Sequence, residues 1–307
     1  MNEFPHVSIE EDDFGNLIAR YQRGKNKPHW AFGAHMDHPG WVKDPTTRGK
    51  LPAGGMDARF PDMRFLGGVP KSYLPTGDVK HFGDFAMWDL PAFSYDSKTD
   101  QLAGRVCDDL VGCAAIIALF SELERLNVET SCYGIFTRAE EVGFVGAVHL
   151  AKSGLLPQGI CFVSLETSSP RGGTEMGKGP VVRVGDRLSV FDDEGTAQLL
   201  AAAEAGGVQV QRALLDGGAC EATAMNLYGI RATGISVLLG NYHNCSPTGK
   251  IDSEYVCLYD VKAMISLLIS LLQSTKKNAG KSRQSTRSSL EKRLKDYAPY
   301  SGKNSRV

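Results

Sequence analysis

Histidine and carboxylate side chains recur in this chain directly after short apolar runs. In open α/β sheets, ligands bind beyond the carboxyl ends of the strands, so polar residues that terminate apolar strands are candidates for a binding site. Together these residues supply imidazole and carboxylate ligands without a cysteine, a set typical of hydrolytic Zn²⁺ or a similar divalent ion. The candidates are His35, Asp37, Asp108, Glu140, Glu141, Glu166 and His243.

The residue types predict a pair of metal ions rather than a single ion. Two catalytic ions lie about 3.5 to 4 Å apart in hydrolases of this kind, and a carboxylate that bridges them satisfies this spacing. We expect Asp108 to be the bridge. His35 and Glu166 would complete the ligands of one ion, and Glu141 and His243 those of the other.

Two further carboxylates are left with supporting roles. Asp37 follows His35 closely enough to accept a hydrogen bond from its imidazole, which would fix the tautomer and orientation of the ring. Glu140 precedes a ligand without being one, and such a carboxylate can take a proton from an activated water and return it to a leaving amine. We therefore predict metal-assisted hydrolysis with Glu140 as general base.

The segments that must position these residues alternate between strand and helix patterns. This βαβ alternation favours an α/β fold with a mixed, mostly parallel central sheet flanked by helices. Strand patterns occur at 7–9, 17–21, 29–35, 132–137, 160–165, 181–184, 208–214 and 232–238, and helical patterns at 109–126, 144–153, 194–205, 221–228 and 253–272.

Residues 45–100 interrupt this alternation. They are rich in Gly, Pro, Asp and aromatic residues and contain the turn sequences PAGG and GGVP, so we expect a small β-rich inserted subdomain or an elaborated loop. A chain of 307 residues has the length of roughly two domain-sized units of about 150 residues. We assign 1–44 and 101–275 to one catalytic domain that carries this insertion.

The composition is that of an ordinary globular protein, with 42% hydrophobic residues, 22% charged residues and a formal net charge of -1. The longest apolar stretch, 263–272, is well short of the ~18 residues that a membrane span needs, so we expect no membrane partner. The start has no signal-peptide pattern. The cysteines form no Cys-x-x-Cys pair, which predicts reduced thiols and a cytoplasmic location.

The end of the chain differs from the rest in charge. Residues 276–307 contain ten Lys or Arg and two acids, which leaves a net charge of -9 on residues 1–275. We predict a basic, flexible tail with one short helix at 289–295. Nucleic-acid binding through this tail is an alternative, but no aromatic residue alternates with its charges before Tyr297, so no nucleic-acid partner is expected.

The strings that carry the candidate residues resemble the glutamyl aminopeptidase and tetrahedral aminopeptidase family of di-zinc metallopeptidases. They are AHMDHPGW, GRVCDDLVGC, TRAEEVGFVGA, LET, DGGACEATA and GNYHNCSP, in this order. The sibling di-zinc carboxypeptidases and aminoacylases share the order histidine, bridging aspartate, Glu-Glu, acid, histidine. An insertion before the bridging aspartate, with the string FLGG at 65–68, matches the aminopeptidases, because the extra domain of the carboxypeptidases comes later in the chain.

The resemblance implies a metal-dependent aminopeptidase that acts on peptides and uses two divalent ions, zinc or else cobalt or manganese. It makes a homo-oligomer possible, although the insertion is shorter than the dimerisation domain with which these aminopeptidases build hollow assemblies. It implies the same roles as the residues themselves do: His35, Asp108, Glu141, Glu166 and His243 as metal ligands, Glu140 as general base, and Asp37 as the residue that orients His35.

The chain departs from the family pattern at three places. His38 stands where an acidic residue is common, Glu166 where aspartate is frequent, and the string GGACE at 217–221 replaces a Gly-Gly-Thr-Asp string. These differences predict a difference in specificity. The helices that precede the turn at 12–16 in the family are missing here, so we expect a truncated start.

Other interpretations of the same residues remain open. Asp108 and Asp109 also fit a helix N-cap, with Asp109 the expected cap, and Glu140 and Glu141 fit the first turn of a helix. A sibling carboxypeptidase or aminoacylase would differ in whether its substrate needs a free carboxylate or a free amine. A non-catalytic relative that binds metal or peptide is a third alternative, against which the intact Glu140 argues.

Overall fold

The computed structural model describes residues 4–43, 62–273 and 277–297, with side chains in the last helix from residue 287 onward. The helices are α1 (Leu110–Arg125), α2 (Val145–Ser153), α3 (Asp193–Gly206), α4 (Glu221–Leu227), α5 (Leu258–Gln273) and α6 (Lys277–Tyr297). The strands are β1 (Val7–Glu11), β2 (Leu17–Gln22), β3 (Trp30–His35), β4 (Gly40–Lys43), β5 (Met63–Leu66), β6 (Val79–Phe82), β7 (Phe85–Trp88), β8 (Ser94–Asp96), β9 (Gln101–Gly104), β10 (Ser131–Thr137), β11 (Cys161–Ser168), β12 (Val181–Gly185), β13 (Gln211–Leu214), β14 (Arg231–Gly240) and β15 (Glu254–Cys257).

The larger sheet is mixed, with parallel strands at its centre. Its path is β1-β2-β10-β3-β11-β14-β15-β9-β8, and β12 and β13 branch from β14. The neighbours β10, β3, β11 and β14 run parallel, so their carboxyl ends meet at one edge. These strands are buried on both faces, as continuous apolar runs require. The predicted α/β class with a mostly parallel centre is confirmed.

Helices cover both faces of this sheet. One face packs against α1, α3 and α5 through residues such as Ile116, Leu199 and Met264. The other packs against α2 and α4 through residues such as Leu150 and Met225. Asp109 is the N-cap of α1, and its side chain accepts a hydrogen bond from the backbone of Gly112 at 3.1 Å. No helix among the described residues is long and apolar enough to cross a membrane.

The insertion forms a separate four-stranded antiparallel sheet in the order β5-β4-β7-β6. Its boundaries differ from the predicted 45–100, of which 44–61 lie outside the described residues. The sheet already begins with β4, because 40–43 pair with 63–66. Strand β8, which falls within the predicted range, belongs instead to the larger sheet, since it pairs with β9, which in turn pairs with β15.

Two predicted helices also have different bounds. The pattern at 253–272 divides into β15 and α5, because Tyr255 and Val256 pair with β9 and β14 before the helix begins. The short helix predicted at 289–295 is part of α6, which runs from Lys277 to Tyr297. No proline interrupts the range 277–297, and Pro299 follows its end.

Candidate metal centre

The candidate residues converge at the carboxyl edge of the parallel strands. His35 ends β3, Glu166 lies near the end of β11, and Glu140 and Glu141 follow β10. Asp108 lies in the loop between β9 and α1, and His243 lies in the turn after β14. Parallel neighbours bring these strand ends together although they are far apart in sequence. His35, Asp108, Glu140, Glu166 and His243 are all buried.

The turn that carries His243 has an unusual backbone. Asn241, His243 and Asn244 adopt the left-handed conformation, with φ of 53°, 54° and 61°. Non-glycine residues rarely adopt this conformation, and asparagine and histidine tolerate it better than most. The ring of Tyr242 stacks on that of His243, with 3.8 Å between the ring centroids. This turn therefore fixes the direction of the imidazole.

The Asp108 carboxylate lies between the two histidines. Its Oδ1 is 3.3 Å from His35 Nε2, and its Oδ2 is 3.7 Å from His243 Nε2. His243 Nε2 is also 3.1 Å from Glu141 Oε1. Each oxygen of Asp108 thus faces one histidine, as a carboxylate that bridges two ions would.

Ligand atoms fall into the two sets that the sequence predicted. His35, Asp108 and Glu166 offer atoms within 4.8 Å of one another, and so do Asp108, Glu141 and His243. Glu140 joins a third group with His35 and Glu141. The general-base candidate therefore lies beside both predicted ion positions.

Buried polar atoms of this cluster fit divalent cations. Asp108 Oδ1, Glu141 Oε1 and both ring nitrogens of His243 meet hydrogen-bond geometry with no described residue, although Asp108 Oδ1 lies 3.3 Å from His35 Nε2 and Glu141 Oε1 lies 3.1 Å from His243 Nε2. Buried carboxylates that are poorly hydrogen-bonded are unfavourable, and a metal ion between carboxylates and imidazoles removes that penalty. The donor set of nitrogen and carboxylate oxygen is one that Zn²⁺ accepts, so the residues present fit the metal that the sequence implied.

The electrostatics of the cluster reflect burial and the mutual contacts of its members. Burial would lower the pKa of His35, but the neighbouring carboxylates of Asp108 and Glu140 raise it well above its usual value. Burial would raise the pKa of Asp108, but the His35 and His243 rings beside it hold that pKa below its usual value. Burial raises the pKa of Glu166 to about 8.

Asp37 contacts the site differently from the prediction. His35 Nδ1 donates to the backbone carbonyl of Asp37 at 2.9 Å, whereas the nearest carboxylate oxygen of Asp37 is 3.9 Å away. The carboxylate instead accepts the backbone N–H groups of Glu140 at 3.0 Å and Glu141 at 3.2 Å. Asp37 thus orients the His35 ring with its main chain and the Glu-Glu segment with its side chain.

Glu140 is buried but remains part of the cavity wall. Its pKa is well above the usual value because it is buried, and the charges of Glu166 and Glu141 add to this effect. A carboxyl with a raised pKa holds a proton more readily, which suits a group that accepts and then releases one. The position of Glu140 in the cavity wall, beside His35 and Glu141, is compatible with the predicted role.

Two buried carboxylates near the site were missed by the sequence analysis. Glu221, the first residue of α4, is fully buried beside the Thr137 hydroxyl, neither of its oxygens meets strict hydrogen-bond geometry with a described residue, and burial raises its pKa to about 7. Its charge contributes to the raised pKa values of Glu140 and Glu166. The departure at 217–221 was the signal that could have identified it. No sequence pattern indicated Glu254, the second of these carboxylates, because its segment was predicted as helix.

His38, the other departure, ties two loops of the site together. Its Nδ1 lies 2.7 Å from the backbone carbonyl of Asp108 and its Nε2 lies 3.0 Å from Asn244 Oδ1; both partners are acceptors, so a neutral ring donates to one of them. The Asn244 amide nitrogen donates to the carbonyls of Arg105 and Asp252, which fixes the orientation of the amide. The loops that carry Asp108 and His243 are therefore connected through this side chain.

A cavity of about 140 Å³ opens from the cluster. Besides the candidate ligands, its wall includes Arg171, Arg183, Ser168 and Tyr242. Arg183 is buried, its Nε has no hydrogen-bond partner among the described residues, and its NH1 is 3.5 Å from Ser236 Oγ. Arg171 is half-exposed and lies 3.9 Å from the exposed Asp216. The cavity thus combines a cluster of acids with two guanidinium groups.

Both the sequence and the fold of this chain are similar to those of known proteins. The family model described as M42 glutamyl aminopeptidase matches residues 78–267, more than half of the chain. Three solved structures share the fold: an aminopeptidase of the TET type from Thaumarchaeota archaeon SCGC AB-539-E09 (17% identity, TM-score 0.73, 90% of each chain covered), the aminopeptidase APDkam598 from Desulfurococcus kamchatkensis (21%, 0.66, 89% of this chain and 88% of that one), and the TET1 peptidase from Pyrococcus horikoshii, described as assembling into a tetrahedron or a large octahedral shell (23%, 0.64, 88% and 91%).

Proposed function

The chain belongs to the M42 glutamyl aminopeptidase family and is therefore a metal-dependent aminopeptidase; from this premise we propose that it uses two divalent ions and Glu140 to remove acidic N-terminal residues from peptides. The observation that carries the two-ion proposal is the Asp108 carboxylate, whose two oxygens face different histidines. The residues that the sequence predicted as ligands also form two groups whose atoms lie within 4.8 Å of one another, which supports the proposal.

The proposed reaction divides between the metal ions and the chain. When bound by His35, Asp108, Glu141, Glu166 and His243, the ions would supply a nucleophile at neutral pH and polarise the scissile carbonyl. A Glu140 carboxylate oxygen accepts a proton from the attacking water as the new C–O bond forms. The same carboxyl then donates that proton to the peptide nitrogen as the C–N bond breaks. Asp37 holds the backbone of Glu140 in place during both transfers.

Arg183 supports the preference for an acidic N-terminal residue. A guanidinium forms strong, directional hydrogen bonds with a carboxylate, and a buried one without an ion-pair partner among the described residues is available for a substrate. Arg171 at the edge of the cavity would add to the attraction. The description of the matching family as glutamyl aminopeptidase agrees with this substrate class.

Cleavage of defined peptides tests both parts of the proposal. Peptides that begin with Glu, Ala or Lys, each with a free and an acetylated N-terminus, are incubated with the protein after loading with Zn²⁺ or Co²⁺, and products are identified by mass spectrometry. We expect stepwise loss of residues from free N-termini only, with Glu preferred. Equal cleavage of acetylated peptides, or trimming from the C-terminus, would contradict the aminopeptidase reaction.

A variant of Arg183 separates specificity from catalysis. Arg183→Met keeps an apolar stem but removes the guanidinium, and it should lower the Glu-over-Ala ratio of kcat/KM by about 10–100-fold, the loss expected for hydrogen bonds to a charged group. The rate on the Ala peptide should stay near that of the parent. An unchanged ratio would assign Arg183 to the charge balance of Glu166 instead.

Three finer attributes remain proposals. Zinc is the favoured metal because of the imidazole and carboxylate ligands, with cobalt or manganese as substitutes. The shell-forming assembly named for the Pyrococcus horikoshii relative supports a homo-oligomer. The seven cysteines, none of which is in a disulfide, support a reducing, cytoplasmic location.

A further inference from the structure

Glu254 is a buried carboxylate that lies between the two loops carrying Asp108 and His243. It is the first residue of β15, and it pairs with Gly104 at the end of β9, just before the Asp108 loop. On its other side β15 pairs with the end of β14, just before the His243 turn. One short strand is therefore adjacent to both ligand-bearing loops, and Glu254 is fully buried at their junction.

The Glu254 side chain binds main-chain atoms rather than a cation. Its Oε2 accepts the backbone N–H groups of Cys107 at 2.8 Å and Asp108 at 3.0 Å. The backbone N–H of His243 is also directed at this carboxylate. Burial raises the pKa of Glu254 well above its usual value, and the charge of Asp108 adds to this, while the three N–H groups oppose it.

A carboxylate in this position is unfavourable for stability alone. Glu254 forms no ion pair with a described cationic side chain, and Oε1 has no side-chain or main-chain partner that meets hydrogen-bond geometry. A buried charge without a countercharge commonly weakens the fold relative to an apolar residue. The side chain instead accepts a hydrogen bond from the main chain of Asp108, one proposed metal ligand, and faces the main-chain N–H of His243, another.

We propose that Glu254 is a positioning residue for the metal centre: through its hydrogen bonds to the backbone it fixes the Asp108 carboxylate and the His243 imidazole at the separation that two metal ions need. The inference rests on the proposed ligand roles of Asp108 and His243. Glu254 acts on the metal centre through geometry rather than charge, because its acceptor oxygen and the length of its side chain determine the position of the backbone N–H groups.

Two substitutions give opposite predictions under this proposal. Glu254→Gln keeps the length and one acceptor oxygen while removing the charge, so metal affinity should stay close to that of the parent. Glu254→Asp keeps the charge but withdraws the acceptor by one methylene, so affinity should fall. Glu254→Ala removes both and should weaken binding by about 10–100-fold, the range found for groups that orient metal ligands.

Asp260 provides a matched control. It is a buried carboxylate at the start of α5 that also accepts two backbone N–H groups, from Gly177 at 2.8 Å and Gly179 at 2.7 Å. These glycines carry no candidate ligand. Asp260→Ala should therefore lower the melting temperature, as the loss of a buried hydrogen-bonded carboxylate does, while metal affinity stays at the parent value.

The experiment is a titration of the full-length, metal-free protein with Co²⁺ in competition with a chromogenic chelator. It gives stoichiometry and affinity, and the visible spectrum of bound Co²⁺ reports ligand geometry. We expect an altered spectrum and weaker binding for Glu254→Asp and Glu254→Ala, and parent-like behaviour for Glu254→Gln and Asp260→Ala. If Glu254→Ala fails to fold, the difference in Co²⁺ binding between Glu254→Asp and Glu254→Gln still tests the proposal.

The possible outcomes separate this inference from the proposed function. A parent protein that binds fewer than two ions would contradict the two-ion proposal itself. A parent that binds two ions, with all Glu254 variants equal to it, would overturn the role of Glu254 alone. Weaker binding by Glu254→Gln than by Glu254→Asp would also overturn it, because the charge and not the geometry would then be responsible.

Discussion

The carboxyl edge of the larger sheet and the small four-stranded sheet differ in the kind of side chain that they bury. The small sheet is held by an apolar core in which Trp41 and Trp88 meet edge to face, with 4.5 Å between their ring centroids. The edge of the larger sheet instead buries carboxylates such as Asp108, Glu166 and Glu221 with few cationic partners. One region is arranged for packing and the other for a ligand.

The unfavourable interactions of this fold are therefore concentrated at the carboxyl edge of the larger sheet. Sequences usually agree with their structure at every level except at functional sites, where local rules are broken and the surrounding structure compensates. The β strands and the helices packed on them hold the acidic cluster together. We therefore expect changes at the edge to alter catalysis or metal binding, and changes in the small sheet to alter stability.

The largest expected effect is on catalysis, from Glu140→Gln. Loss of a general base typically lowers kcat by about 10²–10⁴-fold, and the amide cannot accept the proton of the attacking water. Because removing a buried acid relieves repulsion with Glu141 and Glu166, the melting temperature should not fall. Steady-state kinetics on a free N-terminal peptide measure kcat, and calorimetry measures stability. A kcat close to the parent value would remove Glu140 from the mechanism.

Trp88→Ala in the small sheet should lower stability and leave the metal centre unchanged. Trp88 is fully buried, and truncation of a buried tryptophan costs about 3–5 kcal/mol of the free energy of unfolding. Metal affinity should change little, because Trp88 is not part of either ligand set. Chemical denaturation gives the first quantity, and chelator competition gives the second. A parallel loss of metal affinity would show that the two regions are not independent.

Divalent metal should stabilise only one of the two regions directly. A ligand that binds the folded state alone adds about 2.7 kcal/mol at a free concentration of 100 times its Kd. Hydrogen exchange with and without Zn²⁺ should show new protection at 105–109, 138–144 and 241–246. Exchange at 79–88 should be unchanged. Uniform protection across both regions would indicate global stabilisation without local ordering.

The smallest of these effects is expected from Asp37→Asn. The amide keeps one oxygen for the backbone N–H groups of Glu140 and Glu141 but presents an NH2 group to the other. Activity should fall by about 10–100-fold, as for other groups that support metal-site residues. His35 keeps its contact with the Asp37 carbonyl, so metal affinity should fall less than kcat. Equal losses in both would mean that the side chain mainly orients ligands.

Much of the fold was predictable because its central strands are long and apolar. Strands β3, β10, β11 and β14 are buried along most of their length, and none of them contains more than one Asp, Glu, Lys or Arg residue. The boundaries of the insertion were less predictable, since pairing of β4 with β5 and of β9 with β15 is decided by tertiary contacts. The same holds for β15. Its four residues precede α5 but have the same helical pattern as α5, so the sequence alone does not separate them.

The clustering of the candidate ligands was predictable for the same reason, and the contacts of the supporting residues were not. Polar residues after apolar strands are visible in a sequence, and parallel pairing brings His35, Glu141 and Glu166 together. Asp37 was placed correctly, but which of its atoms contacts His35 depends on backbone direction. Glu254 reaches the site only because a short strand pairs between two loops, which no local pattern reveals.

The left-handed backbone of the His243 turn restricts which sequences this site can adopt. A β-branched residue at Asn241 or Asn244 would be strained at positive φ, whereas Gly and Asp tolerate that conformation. Asn244 is restricted further, because both ends of its amide are used. Mutational tolerance should therefore drop sharply from the last residues of β14 into the turn, and related chains that keep the site should vary in the helices before they vary here.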